Sequence, residues 1–304
     1  MHVGIAIPQL FGPAPADRAL IHTFLVRAEA LGYDSAWVQD EVLGEAGFLE
    51  PLALLGYAAA TTRRLRLGSA VLISTLRSPV ELAKSLATLD QLTSGRLIVG
   101  IGLGGNTRIY PALGLSPEHR VRRFIEGLEL MRRLWTEEEV SFEGRFWTLE
   151  RQRLRPKPVQ TPHPPVWFGA HRPAALRRAA ELADGWIGAG AASTAEFREQ
   201  VARLRADLEE AKRDPSAFPV GKRVYVAVGA DRARALGRLR KWFRAIYGDG
   251  GLADRVAVVG EVAAVIDQLR KVREAGAELL LLNPLFDEMY HLELLAGEIL
   301  PSVR

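Results

Sequence analysis

Residues 35–73 hold a strand, a helix and a second strand, and this pattern decides the fold. The first strand reads Ser-Ala-Trp-Val at residues 35–38, and the second reads Leu-Arg-Leu-Gly-Ser-Ala-Val-Leu-Ile at residues 65–73. Between them, residues 51–61 (Pro-Leu-Ala-Leu-Leu-Gly-Tyr-Ala-Ala-Ala-Thr) have the composition and length of a helix. Apolar strands that alternate with helices predict a parallel sheet, because neighbouring parallel strands need a helical crossover.

The same alternation continues along the chain in both directions. Further strands are predicted at residues 3–7, 97–101, 166–168, 185–187, 224–228 and 279–282. Helices are predicted at residues 17–31, from 78–79 onward, and at 117–135, 173–182, 194–213, 231–246, 261–275 and 288–300. About eight strands separated by helices predict an α/β protein, a (β/α)8 TIM barrel formed as one domain over residues 1–304.

Two segments after the fourth strand interrupt the alternation. Residues 140–154 alternate in polarity around Glu143-Gly144, which predicts a β-hairpin outside the barrel. Residues 155–165 are dense in proline and precede a strand directly, so we expect a rigid surface strap in preference to a domain linker.

Composition excludes several classes of protein. The chain has 304 residues, no cysteine and a net charge of +4. Without cysteine there is no disulfide framework, thiol nucleophile or Cys-ligated metal. No apolar stretch approaches the roughly 20 residues that span a bilayer, and no signal peptide is recognisable, so we expect a cytoplasmic protein without a membrane partner. The basic residues are spread along helices among glutamates, and no nucleic-acid partner is expected.

Polar residues and glycines follow several strands, on the face where such barrels carry their working residues. The glycine-rich run at residues 100–106 is not a dinucleotide fingerprint, since no helix begins directly after it. Its lack of Cβ atoms predicts that a flat ligand approaches the backbone, and a flexible loop is the alternative. The residues expected to contact a ligand after strands four and five are Gly102, Gly104, Gly105, Asn106, Gly169, Ala170, His171 and Arg172.

The segment from Gly169 to Arg172 predicts an anion site. A strand ends there and a helix begins at Pro173, and N–H groups at a helix N-terminus attract anions. His171 and Arg172 would add charge-assisted donors, whereas the alternative is an ordinary turn with surface side chains. The six histidines show no spacing typical of metal ligands, so no metal site is expected.

Asp40 and Glu41 follow the second strand as adjacent acids. Neighbouring loop positions point in different directions, so the two do not form a ready acid–base pair. We expect one of them to bind a polar edge of a ligand, and the other to relay a proton if burial raises its pKa. Helix capping and solvation are the alternative for both residues.

Seven segments, in this order and spacing, resemble the luciferase-like monooxygenase superfamily of flavin- and coenzyme F-420-dependent oxidoreductases. They are residues 28–38, 66–72, 95–102, 127–135, 142–147, 164–170 and 183–187. The resemblance implies a barrel with an insertion after strand four, and FMN or F-420 bound at the C-terminal ends of the strands, with its phosphate at Gly169 to Arg172. It implies that Asp40 contacts this cofactor, which leaves the relay of a proton to Glu41. It also implies a non-proline cis peptide between Ala70 and Val71, where small residues including Ser69 would support the ring.

The chain departs from this family at two positions. Deazaflavin-dependent relatives often carry Asp-His after strand two, where this chain has Asp40-Glu41. Many also carry a glutamate proton donor after strand four, at the position that Gly105 occupies here. The usual acid–base pair is therefore not carried over.

The resemblance implies an oxidoreductase that transfers hydride with F-420 or inserts oxygen with reduced FMN, on a small organic substrate. The start Trp37-Val38-x-Asp40 favours the F-420 branch. FMN chemistry would call for a flavin reductase as a partner, and a homo-oligomer such as a dimer is expected. Two alternatives stay open: a non-catalytic flavin-binding relative, and a phosphosugar isomerase or lyase on a generic barrel.

Overall fold

A closed parallel sheet with eight positions forms the centre of the structure, a computed structural model that describes residues 1–44 and 46–304. The strands are β1 (His2–Ala6), β2 (Ser35–Val38), β3 (Arg66–Ser69), β4 (Leu72–Ile73), β5 (Leu97–Gly102), β6 (Val140–Glu143), β7 (Thr148–Gln152), β8 (Val166–Gly169), β9 (Gly185–Gly188), β10 (Val220–Val228), β11 (Val258–Gly260) and β12 (Leu279–Asn283). The order around the barrel is β1, β2, β3, β5, β8, β9, β10 and β12, and β12 pairs with β1 to close it. The predicted (β/α)8 barrel is confirmed.

Helices surround this sheet and connect its strands. They are α1 (Arg18–Ala30), α2 (Pro51–Thr61), α3 (Pro79–Thr93), α4 (Arg120–Thr136), α5 (Pro173–Leu182), α6 (Thr194–Glu210), α7 (Arg232–Tyr247), α8 (Leu252–Val256), α9 (Val262–Glu274), α10 (Glu288–Leu294) and α11 (Leu300–Val303). The buried faces of the helices pack on the outward-facing side chains of the strands in one large hydrophobic cluster. No helix in the described residues is long and apolar enough to cross a membrane.

Inward-facing side chains fill the lumen, so the barrel is a packed core with an open mouth and not a pore. Trp37, Ala70, Ile98 and Trp167 belong to this inner cluster. A Cβ atom on Gly68 would lie 2.5 Å from the Trp37 ring, so glycine is required for that ring to lie across the lumen.

The insertion lies between β5 and β8 and contains α4, the hairpin of β6 and β7, and the proline-rich strap. The Glu126 carboxylate holds the hairpin tip by accepting the backbone N–H groups of residues 145–147. The buried Asp90 carboxylate accepts the N–H groups of Val159 and Gln160 at 2.7 and 2.9 Å. Both the hairpin and the strap are confirmed, and the strap contains cis peptides before Pro156 and Pro162.

Three elements differ from the prediction. The third strand, predicted as continuous over residues 65–73, is divided into β3 and β4, and the Ala70–Val71 peptide is cis, as the resemblance implied. β10 begins at Val220 and not at 224. The prediction began too late because two adjacent charged residues, Lys222 and Arg223, are more typical of a loop than of a strand. The final helix, predicted over residues 288–300, is interrupted by a π-helical turn at Leu295–Ile299, next to Pro301, which has no N–H group to continue the helix.

Candidate active site at the barrel mouth

The open C-terminal end of the barrel has a polar floor above the apolar lumen. A Cβ atom on Gly221 would lie 3.1 Å from Trp167, so this position of β10 faces inward, and so do the alternate residues Arg223 and Tyr225. On β12, Leu279 and Leu281 belong to the inner cluster, which places Asn283 in the next inward position. Arg223 and Asn283 therefore lie at the floor of the mouth.

Arg223 is a functional candidate that the sequence analysis missed. With the Asn283 amide oriented so that its oxygen faces Arg223, that oxygen accepts from Nη2 at 2.9 Å and from Nε at 3.2 Å. The guanidinium carbon lies 4.8 Å from the centre of the Tyr225 ring. No carboxylate in the described residues lies within 4.0 Å of this guanidinium. The sequence signal for Arg223 was the strand pattern of residues 224–228. Continued back to Gly221, that pattern places Arg223 on the inward face of the strand.

Two glutamines at the mouth have different roles. The Gln9 amide donates to the carbonyls of Gln39 and Leu49 and accepts from the Gln39 N–H, which ties together the loops after β1 and β2. Gln39 is 6% exposed, and its Nε2 has no hydrogen-bond partner in the described residues. Gln39 follows Trp37 by two residues and so takes the next inward position of β2.

The carboxylate of Asp40 is held by hydrogen bonds and an ion pair within the protein. Its side chain has no exposed surface, and its carboxylate accepts from Arg77 at 2.5 and 3.1 Å and from the Ile73 N–H at 2.8 Å. The pair joins the end of β2 to the turn after β4. Asp40 thus positions the wall beside the mouth, and its direct contact with a cofactor stays a prediction.

Glu41 folds back over its own loop. A Cβ atom on Gly44 would collide with the Glu41 carboxyl group, and the Ala46 N–H donates to the carboxylate. Burial raises the pKa of Glu41, and the hydrogen bond from Ala46 opposes that rise. The relay of a proton by Glu41 stays a prediction.

The predicted glycines have two different environments. The space beside Gly102 and Gly169 is taken by the Val71 side chain, whose methyl groups lie 2.8 and 3.0 Å from the positions that Cβ atoms would take there. These two glycines therefore admit Val71, which differs from the predicted approach of a flat ligand. Beside Gly105, in contrast, no atom of the described residues other than its two chain neighbours lies within 4 Å of an added Cβ. Ser69 is engaged as well, because its hydroxyl bonds both the N–H and the carbonyl of Gly100.

The predicted anion site is an exposed helix start. Arg172 is the N-cap residue of α5, no side chain caps this end, and His171 and Arg172 are exposed. The preceding Ala170 is buried, and its carbonyl accepts from the Trp186 indole at 2.9 Å. The neighbouring α6 differs, since Ser193 and Glu196 close its N-terminus with a capping box. In the described residues, no group of three His, Asp or Glu side chains is arranged to hold a metal ion.

Comparison with known proteins identifies the family. The profile for luciferase-like monooxygenases matches residues 1–254. The chain belongs to the luciferase-like monooxygenase family. The assignment made from the seven sequence segments is confirmed.

Relatives within this family include F-420-dependent enzymes. An F-420-dependent glucose-6-phosphate dehydrogenase of Nakamurella multipartita is 33% identical over 247 residues, covering 78% of this chain and 70% of that protein. Uncharacterized proteins of Mycobacterium tuberculosis are 44% identical over 140 residues, and that match spans about half of their length, 49%.

Solved structures in the family have the same barrel. An F-420-dependent secondary alcohol dehydrogenase superposes with a TM-score of 0.88, covering 100% of this chain and 99% of its own, at 22% identity, which shows the fold. The monooxygenase RslO1 of Streptomyces bottropensis superposes with a TM-score of 0.87 at 26% identity, covering 100% of both chains. The family thus includes both dehydrogenases and monooxygenases.

Proposed function

We propose that this chain is an oxidoreductase that binds coenzyme F-420 across the barrel mouth and transfers hydride to or from a small organic substrate. The observation that carries the proposal is the exposed, uncapped start of α5 with Arg172 at its N-cap. The 33% identity to an F-420-dependent dehydrogenase over 78% of the chain supports the same cofactor. The alternative of a phosphosugar isomerase or lyase assumed a barrel of no particular family, and membership of the luciferase-like family no longer favours it.

The residues at the mouth suit a flat cofactor with a phosphate group. Arg172 and His171 would hold the phosphate, and open space beside Gly105 would admit the part of the cofactor nearest the loop after β5. Ser69 and Ala70 would support the ring, with Ser69 fixed in place by its two bonds to Gly100. When bound, F-420 would supply the hydride chemistry, and the protein would orient the substrate and exclude water.

Glu41 is our candidate for proton transfer. Burial raises the pKa of its carboxyl group, and no cation of the described residues forms an ion pair with it. Asp40, by contrast, is held in a buried ion pair with Arg77. A proton on Glu41 would reach the substrate only if the loop of residues 41–44 turns its carboxyl toward the mouth.

The second candidate is an FMN-dependent monooxygenase. It is favoured by the 26% identity to the monooxygenase RslO1 over the whole of both chains. This activity would require reduced FMN from a flavin reductase partner. A non-catalytic flavin-binding protein is the remaining outcome.

A turnover screen separates these functions. The full chain is incubated with oxidised F-420 and small alcohols, hydroxy acids or sugar phosphates, and loss of the oxidised absorbance is followed. F-420 reduction that Arg172→Ala slows and Arg177→Ala does not would support the proposal. An oxygenated product formed from one of these substrates with reduced FMN and oxygen, in the absence of any F-420 reduction, would overturn it.

A further inference from the structure

The floor of the mouth offers hydrogen-bond donors that the proposed cofactor site does not use. We call Gln39, Arg223 and Asn283 the donor floor. Gln39 Nε2 is buried without a partner in the described residues. The Asn283 oxygen faces Arg223, so its NH2 group points away and has donor capacity left. Arg223 and Asn283 thus have only donor capacity left, and Gln39 adds a buried donor without a partner in the described residues. A ligand group with acceptor atoms complements these donors.

The charge of Arg223 indicates that the complementary group of the ligand is an anion. The guanidinium is half-buried, stacked beside a fully buried Tyr225, and no carboxylate in the described residues lies within 4.0 Å. Its one polar partner among those residues, Asn283, is neutral. A charge taken partly out of water without a counter-charge is costly, and a bound anion would offset that cost. A carboxylate or a phosphate suits the planar fork of arginine.

The position of Arg223 separates this anion from the cofactor. In the order around the barrel, β3 is the third position and β10 the seventh of eight, so Arg223 faces Ala70 across the mouth. A ring supported by Ala70 would have Arg223 on its open side, where a substrate lies. The proposed phosphate contact, Arg172, is two positions away from β10, beyond β8, and is exposed outside the lumen.

We propose that Arg223, held by Asn283 and Tyr225, binds the anionic group of the substrate, and that the substrates are small organic anions carrying a carboxylate or a phosphate. This inference rests on the proposed function, because it places the substrate on the open side of a bound F-420. Arg223 is here a specificity-determining residue that touches the substrate.

The test uses the full chain loaded with F-420, so that the cofactor's own phosphate site is filled. Inorganic phosphate and acetate serve as probes, titrated by calorimetry at a constant ionic strength set with chloride. We expect saturable binding of at least one probe, weakened about tenfold or more in Arg223→Met. Arg223→Lys keeps the charge and is expected to retain part of the binding. The exposed control Arg177→Met is expected to bind the probes like the wild type.

Three results would overturn the inference. They are equal probe affinity in Arg223→Met and the wild type, no probe binding to the loaded wild type, and an equal loss of F-420 affinity in Arg223→Met, which would assign the arginine to the cofactor. If Arg223→Met does not fold, Arg223→Gln takes its place, and wild-type probe affinity in Arg223→Gln would overturn the inference. Failure of the wild type to bind F-420 is seen before any probe is added, and it contradicts the proposed function separately.

Discussion

Asp40 and Arg77 form a buried ion pair that joins the ends of two neighbouring barrel positions. Arg77 Nη1 lies 2.5 Å from Asp40 Oδ2, and Nη2 lies 3.1 Å from Oδ1. The Asp40 side chain has no exposed surface and that of Arg77 is 17% exposed. Asp40, which the resemblance assigned to cofactor binding, therefore has a structural role in holding these two positions together.

Replacing Asp40 tests that task. Asp40→Ala should lower the free energy of unfolding by about 3 kcal/mol or more, because it leaves the Arg77 charge without its buried partner. Urea denaturation measures the change. Glu50→Gln is the matched control, since Glu50 lies 3.4 Å from the same arginine but is half-exposed, and it should cost less than about 1 kcal/mol. Unchanged stability in Asp40→Ala, with lost cofactor affinity, would instead make Asp40 a cofactor contact.

The start of α5 gives a prediction for cofactor binding. Arg172→Ala should weaken binding of F-420 by about 1–3 kcal/mol, the range for a hydrogen bond to a charged group. Its exposure means that the free energy of unfolding should hardly change. Arg177→Ala, an exposed arginine one turn further along α5, is the control. Equal affinity in the two variants would remove Arg172 from the site.

Lys222 gives the protein a predictable pH dependence. Its amine donates to the carbonyls of Ala189 and Ala192, and burial, assisted by Arg223, lowers its pKa to about 7, while Glu196 opposes the shift. Between pH 7 and the ordinary lysine value of about 10.4, the unfolded chain holds a proton that the folded chain does not. Lys222 should therefore make stability rise with pH in that window.

The variant Lys222→Met removes this proton and should flatten the pH dependence. Its stability relative to the wild type should fall by at most about 1.4 kcal/mol per pH unit from pH 7 upward. Urea denaturation of both proteins at pH 7, 8, 9 and 10 gives the difference. A difference that is constant over this range would show that Lys222 keeps its ordinary pKa in the folded protein.

Which features could be predicted from the sequence depended on how local their causes are. The barrel was predictable because each apolar strand and each helix is encoded in its own stretch of about 5–15 residues. The environment of Gly102 was not predictable, because the space beside it is taken by Val71, which lies about 30 residues earlier in the break between β3 and β4. The partner of Asp40 is likewise 37 residues away, and only the register of the barrel brings Arg77 to it. Arg223 was missed because two adjacent charges resemble a loop until the whole of β10 is considered.

The proposed role of Glu41 in proton transfer has a simple kinetic test. Glu41→Gln should lower kcat by about a hundredfold or more if Glu41 transfers a proton in the rate-limiting step, with F-420 affinity unchanged. If it acts as the acid, the wild-type rate should fall as pH rises through its raised pKa, and the variant should lose that limb. Turnover equal to the wild type at every pH would make Glu41 a loop residue.

Equilibrium binding of oxidised F-420 and FMN to the full chain tests the central claim most directly. The fluorescence of each cofactor is followed as protein is added, in the same buffer and at the same ionic strength. We predict saturable binding of F-420 with one site per chain, and an affinity for FMN that is lower than the affinity for F-420 by about tenfold or more. Binding of FMN in preference to F-420, or of neither, would contradict the account.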